Sequence, residues 1–369
     1  MLLALLLAAT AMAKRTAAAA PGFAAAAPGK KRRALFRGGK AAASSSSAAA
    51  AAAPPASAAP LFTLGGDGDD ALVECELVRR PSARNRSPYV ADVRLPDGRE
   101  AICHVPSLNL GGKCGPGATL LARRQIDKKT KLPLGKDAVS PKYGTPKCEF
   151  ICQLAQLPAG AGWVGAHPSL GERAALALLE RLGANLVDPA AAAAAPEALR
   201  REVTKPCGMD ARADFVLEAA GSGGARQTVV EVKTVVDATL DAGFEASGGG
   251  DGAPAAIFPW GLGKQKGPDG EKVVSARAIK HVDELAKVAR KELTDPDKAS
   301  EAAVLFVVVR ADVDVFRPNA KACPSFAKHI AKARADGVKV RARRVRWVAE
   351  GGGTGSVAAY DDGDLEVVL

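Results

Sequence analysis

The segment TVVEVKTVVD, residues 228–237, sets two charges, Glu231 and Lys233, inside a run of β-branched residues. Such a run forms a buried strand, and a buried strand holds charges only where each has a partner or a task. Side chains alternate faces along a strand, so Glu231 and Lys233 project together while Val232 faces the other way. Upstream, ADFVLE (213–218) again carries one acid, Asp214, within an apolar run. The loop AAGSGGARQ can join the two as a hairpin that brings Asp214 beside Glu231. Two carboxylates in one desolvated place repel each other unless a cation sits between them. Hard oxygen ligands favour magnesium or manganese, which lowers the pKa of a bound water and stabilises charge on a phosphate. Lys233 would then orient that water or neutralise the phosphorus centre. The alternative is a cross-strand ion pair of Lys233 with Asp214 or Glu231.

Two kinds of segment must position these residues. LVECELVRR (72–80), YVADVRLPDGREAICHVP (89–106), ATLLARRQ (118–125) and CEFICQLAQL (148–157) read as short strands with Gly and Pro punctuation, hence a small antiparallel barrel. After it come a helix at 172–183, strands at 201–205, 213–218 and 228–236, a helix at 275–293, a strand at 302–310, a helix at 325–337 and a strand at 338–348. Strands paired first by a hairpin and then alternating with helices predict a mixed α/β sheet. The expected organisation is a leader over 1–60, a barrel over 70–157, an α/β domain over 160–350 with an insertion at 245–274, and a tail at 351–369 with one edge strand.

The formal net charge is +11, but residues 1–60 hold eight Lys and Arg and no acid. The remainder carries 43 Lys and Arg against 40 Asp and Glu, so the overall basicity is a weak pointer to nucleic acid. LLALLLAATAMA has signal-peptide length, and the basic, Ala- and Ser-rich stretch after it is transit-like. Together they resemble a two-part plastid leader; the alternative is a cytoplasmic protein with a disordered tail. Apolar runs are too short to span a membrane. The seven cysteines are scattered with no CxxC pair, which argues for reduced thiols rather than a zinc site.

Arg79, Arg80, Arg84 and Arg86 cluster in VRRPSARNRSPY beside Tyr89. This is either a phosphate-gripping loop with an aromatic for stacking or a solvated basic turn. RARRVRW (341–347) alternates basic and apolar residues, as an edge strand that tracks a backbone or keeps that edge from aggregating.

The stretch ARADFVLE…VVEVKTVV…FPW…SARAIKHVDEL resembles the sugar fermentation stimulation protein A family, whose core is similar to the PD-(D/E)XK nuclease superfamily. The likeness extends over roughly residues 72–348. It implies an α+β fold class: an N-terminal OB-like barrel followed by a nuclease-like mixed sheet with flanking helices. It implies Asp214, Glu231 and Lys233 as a nuclease-like triad, with Asp214, Glu231 and Glu172 as ligands for Mg or Mn. Arg212, Arg277, Lys280 and His281 fall at family positions around that site, and Glu202 matches a family glutamate. It further implies a sequence-nonspecific DNA-binding protein, with RNA as a further candidate partner and metal-dependent phosphodiester hydrolysis as the alternative function. The barrel loop HVPSLNLGG departs from the family pattern, as do VGAHPSLGE and ACPSFAK.

Overall fold

The computed structural model describes residues 59–107, 113–191, 196–221, 224–240, 253–295 and 298–369. The expected leader therefore lies outside the described residues, except for its last two positions, as do part of HVPSLNLGG and the start of the 245–274 insertion. No helix among the described residues is long and apolar enough to cross a membrane.

The N-terminal half contains β1 (Phe62–Gly65), β2 (Leu72–Arg79), β3 (Val90–Arg94), β4 (Glu100–His104), β5 (Thr119–Arg124), β6 (Phe150–Gln156) and β7 (Trp163–Gly165). Antiparallel pairs join β2 to β3 and β5, β3 to β4, and β5 to β6. A parallel pair, β4 with β6, closes the ring. Five strands closed in this order form the small OB-like barrel. Leu77, Val93, Leu120, Phe150, Cys103 and Cys152 fill it, so the apolar positions of each alternating strand point inward. The seven cysteines are all free thiols, and four of them line this core.

The second half adds α1 (Ser169–Leu182), β8 (Ala198–Thr204), β9 (Arg212–Gly221), β10 (Gly224–Val235), β11 (Asp237–Ala238), β12 (Ala255–Phe258), β13 (Gln265–Lys266) and β14 (Lys272–Val273). It ends with α2 (Ala276–Ala289), β15 (Ala299–Val308), β16 (Val315–Pro318), α3 (Pro324–Ala335), β17 (Lys339–Ala349) and β18 (Ser356–Val367). The large sheet runs β11-β12-β16-β18-β17-β15-β10-β9-β8, with β1 also paired to β18. Its middle strand β15 is parallel to both β10 and β17. That strand is buried on both faces, which explains its unbroken apolar run AAVLFVVV. Val304, Phe306 and Val308 face α2 and α3, whereas Ala303, Leu305 and Val307 face α1 and barrel residues such as Leu121 and Leu154. Phe306 stacks on Phe316 at 4.1 Å between centroids. Ser275 caps α2 by accepting a hydrogen bond from the Ala278 amide.

Three expectations are corrected. Residues 356–367 are not part of a tail: β18 lies inside the sheet between β16 and β17. RARRVRW is accordingly no edge strand, and its arginines meet the acids of β18. Arg343 binds Asp361 at 2.7 and 2.6 Å, Arg341 reaches Asp364 at 2.7 Å, and Arg344 reaches Asp362 at 2.7 Å. These cations are neutralised within the fold, which removes them as a track for a nucleic-acid backbone. Within the 245–274 insertion, β12 is a sheet strand paired to β11 and β16, because its AAIF run is apolar enough to be buried.

Candidate functional site

Strands β9 and β10 form the expected hairpin, and their ladder ends at Val230 opposite Phe215. One residue further, the Asp214 side chain replaces the strand pairing: its Oδ2 accepts a hydrogen bond from the Val232 amide at 2.7 Å. This places the carboxylate against β10 beside Glu231. Burial, and then the Glu231 charge, push the Asp214 carboxyl up to about 6.

Glu231 is 3% exposed and is held from two sides. Its Oε1 accepts from Lys233 Nζ and from His281 Nδ1 on α2, the latter at 2.5 Å. Arg277 Nε donates to His281 Nε2 at 3.3 Å, so the imidazole proton resides on Nδ1 and points at Glu231. Burial works to raise the Glu231 carboxyl, but the His281 hydrogen bond and the Lys233 charge outweigh it and hold the group below the usual carboxylate range. Two neighbouring acids are thus tuned in opposite directions, one kept ionised and one pushed toward neutrality.

These contacts leave Asp214 Oδ1 and Glu231 Oε2 for a cation. Two carboxylate oxygens suit a hard ion that keeps part of its water shell, such as magnesium or manganese. No group of three or more His, Cys, Asp or Glu spaced to hold a metal occurs among the described residues. Glu172, in the first turn of α1, accepts a hydrogen bond from Arg201 at 2.9 Å. Its charge adds to the upward push on Asp214. Arg212 pairs with Glu202 across β8 and β9. Lys280 reaches Asp210 at 2.7 Å and is exposed, as is Arg277. Opposite the site, Gly171 of α1 is pressed on β10: a Cβ there would meet Thr234 Oγ1 at 2.0 Å.

The barrel arginines divide. Arg80 is consumed by the fold, donating to the carbonyls of Pro88, Val105 and Ser107 at 2.8, 3.0 and 2.9 Å. Arg79 pairs with the buried carboxylate of Asp92 at 2.7 Å. Arg84, Arg86 and Tyr89 are exposed on the β2–β3 loop. This loop is tied to the β5–β6 loop: Arg84 donates to the Lys136 carbonyl and Asn85 Nδ2 to the Pro146 carbonyl at 3.3 Å. The second loop was not singled out in the sequence, yet it is strongly basic, and most of its Lys and Arg side chains are exposed. Residues 123–147 hold eight Lys and Arg against two Asp, whereas the rest of 61–369 holds 35 against 38 acids. At its base is a cleft of about 430 Å³ lined by Arg99, Arg124, Lys136, Glu149 and Phe150.

Residues 268–351, from β14 through β17, match the family model described as the sugar fermentation stimulation protein RE domain. A sugar fermentation stimulation protein homolog of Thioalkalivibrio sulfidiphilus is 29% identical over 277 residues, covering 74% of this chain and 89% of that protein. The homolog of Pseudomonas putida is 31% identical over 270 residues, covering 73% and 89%. The solved structure of Pyrococcus furiosus SfsA in complex with Ca2+ matches with a TM-score of 0.53 at 20% identity, over 85% of this chain and 100% of that one. That likeness in fold, and the extended likeness in sequence to proteins nearly spanned by this chain, agree with one another. The chain belongs to the sugar fermentation stimulation protein family.

Proposed function

We propose that this protein binds DNA without regard to sequence, through the linked β2–β3 and β5–β6 loops of its barrel. The observation that carries this reading is the charge distribution: residues 123–147 hold eight Lys and Arg against two Asp and expose most of them, while the rest of 61–369 sums to slightly acidic and the arginines of 341–346 are paired with acids of β18. Phosphates meet such a surface through counterion release, which confers affinity but reads no bases. The loops joining strands one to two and four to five of an OB-like barrel are those that take oligonucleotides in this architecture, and they correspond to β2–β3 and β5–β6 here. The test uses the full chain with the eight basic residues of positions 14–40 replaced by Ser, titrated with two duplexes of unrelated sequence. Both duplexes are expected to bind alike, with affinity falling about 10²- to 10³-fold between 50 and 200 mM salt if about five phosphates are contacted. Binding that ignores salt, or discriminates strongly between the duplexes, contradicts the proposal.

A second reading rests on the Asp214–Glu231 pair. Held between those carboxylates, magnesium or manganese would supply an activated water and charge stabilisation for phosphodiester hydrolysis. The Ca2+ named with the Pyrococcus furiosus relative is a hard cation of the same preference for oxygen. In this reading His281 and Lys233 keep Glu231 ionised, and the Asp214 carboxylate opens as it loses its proton near neutrality. Lys233 Nζ stands ready to turn from Glu231 toward a bound phosphate oxygen.

A further inference from the structure

We infer that the barrel loops take single-stranded nucleic acid, gripping its phosphates with the lysines of residues 125–147 and stacking a base on Tyr143; this rests on the DNA-binding reading above. The segment between β5 and β6 is two short hydrogen-bonded fingers. In the first, Leu134 N donates to the Gln125 carbonyl at 2.8 Å and Asp127 N to the Leu132 carbonyl at 2.9 Å. Asp127 Oδ1 accepts from the amides of Lys129 and Thr130 at 2.9 and 3.2 Å, a local turn that leaves Lys128, Lys129 and Lys131 facing solvent. None of these three has a carboxylate partner among the described residues. In the second finger, Ser140 N donates to Thr145 O and Gly144 N to Ser140 O, each at 2.8 Å. Gly144, at φ +63°, closes the turn and leaves Lys142 and Tyr143 at its tip.

Side-chain types decide which nucleic acid fits. Nine large apolar residues are exposed among the described residues, and five of them lie on these two loops. The exposed aromatics in that set are Tyr89 and Tyr143, at 40% and 68%, and both are here. Lys142 Nζ sits 5.0 Å from the centroid of the Tyr143 ring, so ring and charge are presented together. A duplex turns its sugar–phosphate surface outward and hides its base faces, which leaves an exposed ring nothing to stack on. A single strand offers base faces and phosphates side by side, which is what alternating lysines and aromatics bind. Neither stacking nor phosphate contact reads the sugar 2′-position, so DNA and RNA strands are accepted alike.

The experiment is fluorescence anisotropy of the full chain with a 20-nucleotide DNA strand, an RNA strand of the same length and a 20-base-pair duplex. The unaltered chain is expected to bind both strands more tightly than the duplex. Tyr143→Ala should weaken the two strands about tenfold and the duplex by less than twofold, while Tyr143→Phe retains the affinity. Tyr143 is exposed, so neither change threatens folding. Equal loss on strand and duplex, or no loss at all, would overturn the single-strand inference and leave DNA binding standing. Failure to bind any of the three ligands would overturn the DNA-binding reading itself.

Discussion

Replacing Asp214 with Asn is expected to stabilise the metal-free protein by about 2–3 kcal/mol at pH 7.5. The carboxyl is pushed from 3.8 up to about 6, by burial first and by Glu231 second. Each unit is worth about 1.4 kcal/mol of preference for the neutral form in the folded state. Because the folded protein binds the proton more tightly than the unfolded chain, stability falls as pH rises from about 4 to about 6 and stays lower above it. Asn keeps an oxygen for the Val232 amide but carries no charge, so its advantage should vanish near pH 3.5. Urea unfolding of both proteins at the two pH values measures this. A destabilised Asn variant at pH 7.5 would mean the Asp214 charge is already compensated by a group other than a metal.

Glu231→Ala is expected to act in the opposite direction, costing about 3–5 kcal/mol at neutral pH. Glu231 is the shared acceptor for Lys233 and His281, both largely buried, with side-chain exposures of 13% and 7%. Removing it leaves a buried ammonium and an imidazole N–H without their partner, the situation in which breaking a buried ion pair is most damaging. Its carboxyl is held low, so its contribution is complete above the ordinary glutamate range and is lost as pH falls below that range. Comparing unfolding free energies of the two variants checks the assignment, because adjacent acids in one ordinary ion-pair network should both destabilise when removed.

Much of this was legible in the sequence for identifiable reasons. An acid inside an apolar strand is anomalous on its own, so Asp214 and Glu231 announced themselves, and alternation fixed which neighbours shared their face. His281 did not announce itself: it lies 50 residues from Glu231, and only the family resemblance singled it out. Strand β18 was hidden because DDGDLE reads as a solvated tail until the arginines of β17 are seen opposite, with Arg343 facing Asp364 in the register and Arg346 bound to Asp362. Each strand supplies the countercharges of the other, and such pairing is invisible one strand at a time. The β5–β6 fingers were missed for another reason. Their lysines follow no helical or strand period, and their excess was masked by a slightly acidic remainder and a basic leader. The arginines of the β2–β3 loop were conspicuous by clustering, yet Arg80 proved to be a brace for backbone carbonyls.

The central claim is a division of labour, with the barrel loops holding nucleic acid and the Asp214–Glu231 pair contributing no binding of its own. It is tested most directly by measuring the affinity for one DNA strand, at 50 mM salt without metal, of the unaltered chain, of Asp214→Asn, and of Lys128→Glu combined with Lys129→Glu and Lys131→Glu. The account predicts that Asp214→Asn binds within about twofold of the unaltered chain. The triple variant should lose about a hundredfold and lower the salt slope by about 2, as expected from roughly 0.7 per phosphate contact removed. Undiminished binding by the triple variant, together with a large loss in Asp214→Asn, would place the nucleic acid on the sheet rather than the barrel and contradict the account.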